Sequence, residues 1–361
     1  MSASLVTDLG QLLIIRWEED AWSAALEQRL RSCRPAGVLL TAADLRTPES
    51  TAELLAKVAR ALQGPPFLVL EQEGGRFDPL RALLPALPSP QAAARKGAAA
   101  VKKLGELTGA GRRLLGFNAD LAPVLDLSNP VWQSSLATRA FSTDPQEVAR
   151  CGAAFVRGLR RHKILACGKH FPGLGSVRKD VHSKLPLSSK PMANLWREDL
   201  VPFRELLPHL PLVMLSPAAY KAYDFDLARP AMFSANVVEG LLRVKLGYQG
   251  VAVADLRELE GVLGKVDAAA AVVKSLQAGC DLMIVGSRKE SLEGALEGLK
   301  HKMESGRISA QRVAQALERI RVAKRGLAPP PGKIPKHAFM QLSKQSEQFS
   351  KEFASQEQAN A

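Results

Sequence analysis

Eight short apolar runs, many of them β-branched, recur along this chain and constrain its fold more than any other feature. They are Leu12–Ile15, Gly37–Thr41, Phe67–Leu70, Ala119–Leu125, Ile164–Cys167, Leu212–Leu215, Gly250–Ala254 and Asp281–Val285. Between them lie stretches of helical periodicity such as Ser50–Leu62, Ala92–Leu115, Gln146–Arg161, Asn236–Lys245, Ala268–Ala278 and Lys289–Met303. Buried strands alternating with amphipathic helices predict a parallel sheet. Eight strands in about 290 residues fit a closed (β/α)8 TIM barrel, an α/β fold of one domain, better than an open sheet. The expected barrel spans residues 1–327, with neither an internal repeat nor a second domain. At GLAPPPGKIPK the pattern breaks, so residues 328–361 read as a Pro-rich linker and a polar tail, helical or partly disordered.

Such a barrel carries its chemistry just past the C-terminal ends of its strands. Glu71-Gln72-Glu73 follow the third run, Asp126 the fourth, Lys169-His170 the fifth and Asp255 the seventh, so polar groups from four strands are expected at one mouth. The densest stretch is Gly168–Pro186, GKHFPGLGSVRKDVHSKLP, whose glycines and prolines forbid a regular helix. It brings out Lys169 and His170 at a strand end and then delivers Asp180-Val181-His182 on a loop. Polar side chains on a loop held by a rigid scaffold are a common catalytic arrangement.

Bulk properties exclude several classes. No run approaches the roughly 18 apolar residues of a membrane span. The N-terminal stretch lacks a basic n-region and meets acids soon after a short apolar run, so it does not read as a signal peptide and a cytoplasmic location is expected. Cys33, Cys151, Cys167 and Cys280 stand far apart, without metal-type spacing, and read as reduced thiols rather than ligands or bridges. The net charge of +13 raises the question of nucleic acid. Aromatic residues make up only 5%, and the basic ones, Arg112-Arg113 among them, are scattered over many helices. That pattern predicts a solvated basic surface, not a nucleic-acid groove. A sharper reading is steering of an anionic substrate.

KHFPG-x-G followed by D-x-H resembles the catalytic loop of glycoside hydrolase family 3, in particular its NagZ-type β-N-acetylglucosaminidases. EQEGGR at 71–76, NADLAPVLDLS at 118–128, TRAFSTDP at 138–145 and GYQGVAVADL at 247–256 resemble the family's other landmarks, in the family's order. The resemblance implies a retaining exo-glycosidase that needs neither metal nor cofactor, acting on a β-N-acetylglucosaminide such as a muropeptide from peptidoglycan turnover, as a monomer or homodimer. It assigns Asp255 as nucleophile and His182, paired with Asp180, as acid/base. Lys169, His170, Arg139 and Glu71 become ligands of the sugar hydroxyls. The chemistry is sound in itself: an imidazole titrates near about pH 6.5, and a carboxylate on one ring nitrogen fixes its tautomer and raises its proton affinity. Taken alone, an aspartate ending a strand is most often a helix N-cap.

Departures from the family concern the sugar rim. Glu71 stands where the family has Asp, Leu174 replaces a histidine of the loop, and Ser216-Pro217 replace another after the sixth strand. The arginine usual after EGGR has no clean match, although Arg81 lies close. A β-glucosidase, a phosphorylase of the same family and a catalytically silent sugar-binding barrel are the competing readings. Glu73 is expected to shape its loop without a catalytic role, and Glu258 and Glu260 to be exposed.

Overall fold

The computed structural model describes residues 8–19, 21–62, 64–129, 136, 138–177, 185–264, 266–286 and 288–353. Eight parallel strands close into a barrel in chain order. They are β1 Leu13–Arg16, β2 Gly37–Leu40, β3 Phe67–Leu70, β4 Ala119–Asp120, β5 Leu165–Phe171, β6 Leu212–Leu215, β7 Val251–Asp255 and β8 Leu282–Gly286. β8 returns to β1, with Met283 opposite Leu13, and the (β/α)8 expectation holds. β2, β3, β6, β7 and β8 are buried at every position. Strands covered on both faces lose the polar–apolar alternation of a half-exposed sheet, which is why they read as unbroken apolar runs.

The helices begin where their chemistry says they should. Thr47-Pro48, Ser89-Pro90 and Asp144-Pro145 each pair a capping side chain with a proline at the first helical position, opening Pro48–Ala61, Pro90–Arg95 and Pro145–Arg161. The cap accepts an otherwise orphaned backbone N–H, and proline has no N–H to orphan.

Several expectations change in detail. The stretch 92–115 is two helices, Pro90–Arg95 and Ala98–Leu115, parted at Gly97, whose φ of +96° suits glycine. The regular part of the fourth strand stops at Asp120, but the chain stays in the ladder: Leu121 donates to the Leu70 carbonyl, Ala122 and Pro123 accept from the Cys167 and Lys169 N–H groups, and Val124 pairs with Lys169. β5 runs on through Lys169 and His170 to Phe171, with a register shift against β6. The two cations therefore belong to the strand itself and not to the loop after it. Asn236–Lys245 winds as a π-helix. The tail forms a helix, Lys336–Lys351, which packs on Ala98–Leu115 through Leu342 and Phe349. Just past its end, the Phe353 ring lies 4.1 Å below the Lys96 ammonium.

Arg112 corrects the picture of a uniformly solvated basic surface. It is fully buried. Its guanidinium meets Asp120 at 2.6 Å and donates to the Leu70 and Ala119 carbonyls at 2.7 and 3.0 Å. Beneath the other end of the barrel, Asp281 gathers three arginines. It pairs with Arg243, with Arg312 at 2.9 Å and with Arg319 at 3.0 Å, and it accepts the Ala252 N–H at 3.0 Å. One carboxylate thus joins the start of β8 to β7 and to the helices Asn236–Lys245 and Ala310–Lys324. Removing one partner of a buried ion pair strands the others without solvent. Asp281→Ala is expected to lower stability by about 3–5 kcal/mol, read as a fall in the urea midpoint. Arg321→Ala, on the exposed face of the same helix, should shift it by less than about 0.5 kcal/mol.

Candidate active site

The segment after β3 is pinned before it reaches the mouth. The Gln72 N–H donates to Asp120 at 3.1 Å, and its side-chain amide donates to Asp78 at 2.6 Å. Asp78 in turn accepts the Leu87 N–H at 2.7 Å. Gly74 lets the chain pass close to its neighbour: a Cβ there would lie 2.4 Å from the Pro88 carbonyl oxygen, and φ is +106°. Glu71 and Glu73 leave this braced segment toward the barrel axis.

There they meet Lys169. Its ammonium, fully buried, lies 2.5 Å from Glu71 and 2.7 Å from Glu73. Arg139 grips Glu73 through two hydrogen bonds, at 2.8 and 2.7 Å, and reaches Glu71 at 3.7 Å. Burial by itself would push the Glu73 carboxyl up. The Lys169 and Arg139 charges outweigh it and hold Glu73 at about 2. Burial likewise disfavours a charged Lys169, and the two carboxylates more than offset it, so its pKa is raised. Lys169, Arg139 and Glu71 therefore come together as the sequence predicts. Glu73 is the floor on which they stand, and Glu71, partly exposed, is the member open to a ligand.

His170, next along β5, is clamped from both sides. Nδ1 lies 2.6 Å from Asp126 and Nε2 lies 3.2 Å from Glu258. Asp126 also accepts the His170 and Leu174 backbone N–H groups at 3.2 and 2.7 Å. Burial lowers the pKa of an imidazole; the Glu258 and Asp126 carboxylates reverse this and raise His170 to about 9. At neutral pH both ring nitrogens then carry protons, Nδ1–H pointing at Asp126 and Nε2–H at Glu258. Glu258 corrects a sequence expectation: it faces the mouth instead of solvent, its side chain being 26% exposed. The helix Leu256–Leu263 starts directly at Asp255, which turns Glu258 back over the strand end. The signal available in the sequence was position, one helical turn after a strand-terminal aspartate.

Asp255 ends β7 and does cap that helix, accepting the Arg257 N–H at 2.9 Å. It is nearly fully buried. Burial first, and then the negative charge of Glu258, raise its carboxyl to about 7. In the closed ring of strands β7 lies opposite β3, so Asp255 and Glu71 face each other across the mouth.

Asp180 and His182 lie outside the described residues. The ends of the loop that carries them are well held. Tyr220 donates its hydroxyl to the Gly173 carbonyl at 2.7 Å, Asn129 donates to the Gly175 carbonyl at 3.1 Å, and the Ser176 and Ser188 hydroxyls meet at 2.8 Å. Ser216 is buried and serves this bracing: its hydroxyl accepts the Ala218 N–H and meets the Tyr220 hydroxyl, each at 3.0 Å, and with the Tyr220 proton on Gly173 it is Ser216 that donates there. Among the described residues no three His, Cys, Asp or Glu side chains gather in a metal-binding arrangement, and no helix is long and apolar enough to cross a membrane. The four cysteines are free thiols.

Glu258→Gln removes one of the two carboxylates that hold the His170 charge. In that variant His170 is expected to titrate below about 9, and Asp255, relieved of a negative neighbour, below about 7. Both shifts are measurable by NMR titration. The His170 charge also links pH to folding. Its folded pKa is raised above the unfolded value of about 6.5. Its stabilisation is therefore complete below that pH and fades as pH rises through about 9.

The chain matches the model of the glycosyl hydrolase family 3 N terminal domain over residues 4–323. It is 32% identical over 303 residues to a protein named Beta-hexosaminidase from Methylococcus capsulatus, covering 82% of this chain and 89% of that one. A Bordetella avium protein of the same name is 35% identical over 285 residues, covering 76% and 79%. A solved family 3 beta-N-acetylglucosaminidase from Paenibacillus sp. str. FPU-7 superposes with a TM-score of 0.85 at 27% identity, over 97% of this chain and 68% of that one. A Mycobacterium smegmatis member of the family superposes with a TM-score of 0.77 at 26% identity, over 90% and 99%. A barrel with this mouth, matched along nearly its whole length, belongs to glycosyl hydrolase family 3 and is a glycoside hydrolase.

Proposed function

We propose that the protein is a cytoplasmic, retaining exo-glycosidase that releases terminal β-linked N-acetylglucosamine, with peptidoglycan turnover fragments as its substrate class. The observation that carries this reading is the position of Asp255, ending β7 across the mouth from Glu71, Lys169 and His170. A sugar whose hydroxyls are held by Glu71, Lys169, His170 and Arg139 turns its anomeric carbon toward β7. The relatives named Beta-hexosaminidase and the Paenibacillus beta-N-acetylglucosaminidase support the sugar.

The mechanism is a double displacement. The Asp255 carboxylate attacks the anomeric carbon while His182, oriented by Asp180, gives its proton to the leaving oxygen. A glycosyl ester forms on Asp255 and the aglycone departs. His182 then takes a proton from water, which attacks the same carbon, breaks the ester and frees the sugar with its original configuration. Positive charge develops at the anomeric carbon, where the Asp255 carboxylate stands, while the ion pairs of Lys169 and His170 keep the groups that hold the sugar fixed in place.

The test is release of p-nitrophenol from its β-N-acetylglucosaminide and its β-glucoside. Wild type is expected to favour the acetamido sugar, and Asp255→Asn to lose activity by about three orders of magnitude or more. NMR of the first product should show the β-anomer; the α-anomer would exclude a double displacement. Attack requires ionised Asp255, whose carboxyl is raised to about 7. Log kcat/KM should accordingly fall with unit slope below about pH 7, and the break should move to lower pH in Glu258→Gln. Preference for the glucoside would keep the mechanism and change the sugar.

A further inference from the structure

We propose that the cavity beyond Glu71 is a second subsite, which takes an anionic substituent, a phosphate or a carboxylate, on the far edge of the sugar held at the mouth. The proposal deepens the glycosidase reading and rests on it. The cavity measures about 530 Å³ and is lined by Arg16, Thr41, Glu71, Arg76, Phe77 and Arg81, with others. Small-ligand pockets run from about 300 to 1,000 Å³, so a bare hydroxymethyl group would leave most of this one empty. Glu71 is the shared wall: one side of it meets Lys169, and the other borders the cavity.

The charge of the lining selects the ligand. Among the described residues Arg16, Arg76 and Arg81 make no ion pair. The carboxylates near them are committed elsewhere. Glu71 is held by Lys169, Asp78 by the Gln72 amide and the Leu87 N–H, and Asp44 by the Thr41 N–H and hydroxyl at 2.6 and 2.8 Å. Three guanidinium groups are thus left for a ligand, and their planar forks match phosphate and carboxylate oxygens. Phe77 joins the two subsites, its ring lying 4.1 Å from the Arg139 guanidinium.

Topology decides which part of the substrate enters. The anomeric carbon belongs beside Asp255 on β7, and the cavity opens over the ends of β1 and β2 and the segment after β3, the strand that lies opposite β7. A leaving group departs from the anomeric carbon, whereas a substituent on the 4- or 6-oxygen points past Glu71 into the cavity.

The experiment compares 4-nitrophenyl β-N-acetylglucosaminide, its 6-O-phosphate and a glycoside with a carboxylated aryl leaving group. It uses wild type, Arg76→Gln, Arg81→Gln and the double variant; both side chains are exposed, so the fold should be retained. Wild type is expected to show kcat/KM about tenfold or more higher for the 6-phosphate than for the neutral sugar. That ratio should fall toward one in the double variant and decline with added salt. Calorimetry should show the same preference for N-acetylglucosamine 6-phosphate over N-acetylglucosamine. Turnover of the neutral glycoside with no preference for the 6-phosphate overturns the subsite and leaves the glycosidase reading standing. Loss of discrimination for the carboxylated leaving group alone also overturns it, because the cavity would then serve the aglycone. If no glycoside is turned over, a calorimetric preference that the double variant abolishes supports the subsite while removing the hydrolytic reading.

Discussion

A lysine ammonium with no access to water is the constraint on which the mouth of this barrel depends. A buried cation is tolerated only when opposite charges lie against it, and here Glu71 and Glu73 supply them. That requirement brings β5 to the segment after β3, and Arg139 completes it by gripping Glu73. The result is a fixed lattice of alternating charge at the floor of the mouth. Asp126, His170 and Glu258 extend it toward Asp255. The lattice makes the site polar and rigid together: each charged group is oriented by a neighbour, and few are free to turn toward solvent.

Rigidity at the floor depends in turn on what lies beneath. Asp120 receives both the buried Arg112 guanidinium and the Gln72 N–H, so one carboxylate couples the helix Ala98–Leu115 to the segment that presents Glu71 and Glu73. The same helix carries the C-terminal helix on its outer side. A continuous path of packed groups therefore runs from the tail to the sugar clamp, although the two are far apart in sequence. It fixes Glu71 and Glu73 where they stand, although both lie past the end of β3.

Much of the fold was legible, because a strand buried on both faces announces itself as an apolar run. The same rule hid the most important strand end. Lys169 and His170 read as residues just past a strand end, since nothing local reveals that Glu71, Glu73 and Asp126 will neutralise them inside β5. Arg112 failed for the same reason: its partner Asp120 is eight residues away on another element, and in the sequence it looks like any surface arginine on a helix. Glu258 read as solvent-facing because the turn that folds it over Asp255 depends on where the helix begins. The resemblance to the family did single out Lys169, His170, Arg139 and Glu71 as a set, and the structure places them at one mouth. The floor residue Glu73 was legible only as architecture, which is the part it plays in holding Lys169 and Arg139.

The paired hydroxyls of Ser176 and Ser188 have a wider consequence. By meeting, they hold positions 176 and 188 side by side, and Asn129 and Tyr220 anchor the incoming end. Closure entropy grows only slowly with the length of chain between two held points, by about 0.6 kcal/mol for each doubling. With both ends fixed at one point of the mouth, a change in the number of residues between them costs the barrel beneath little.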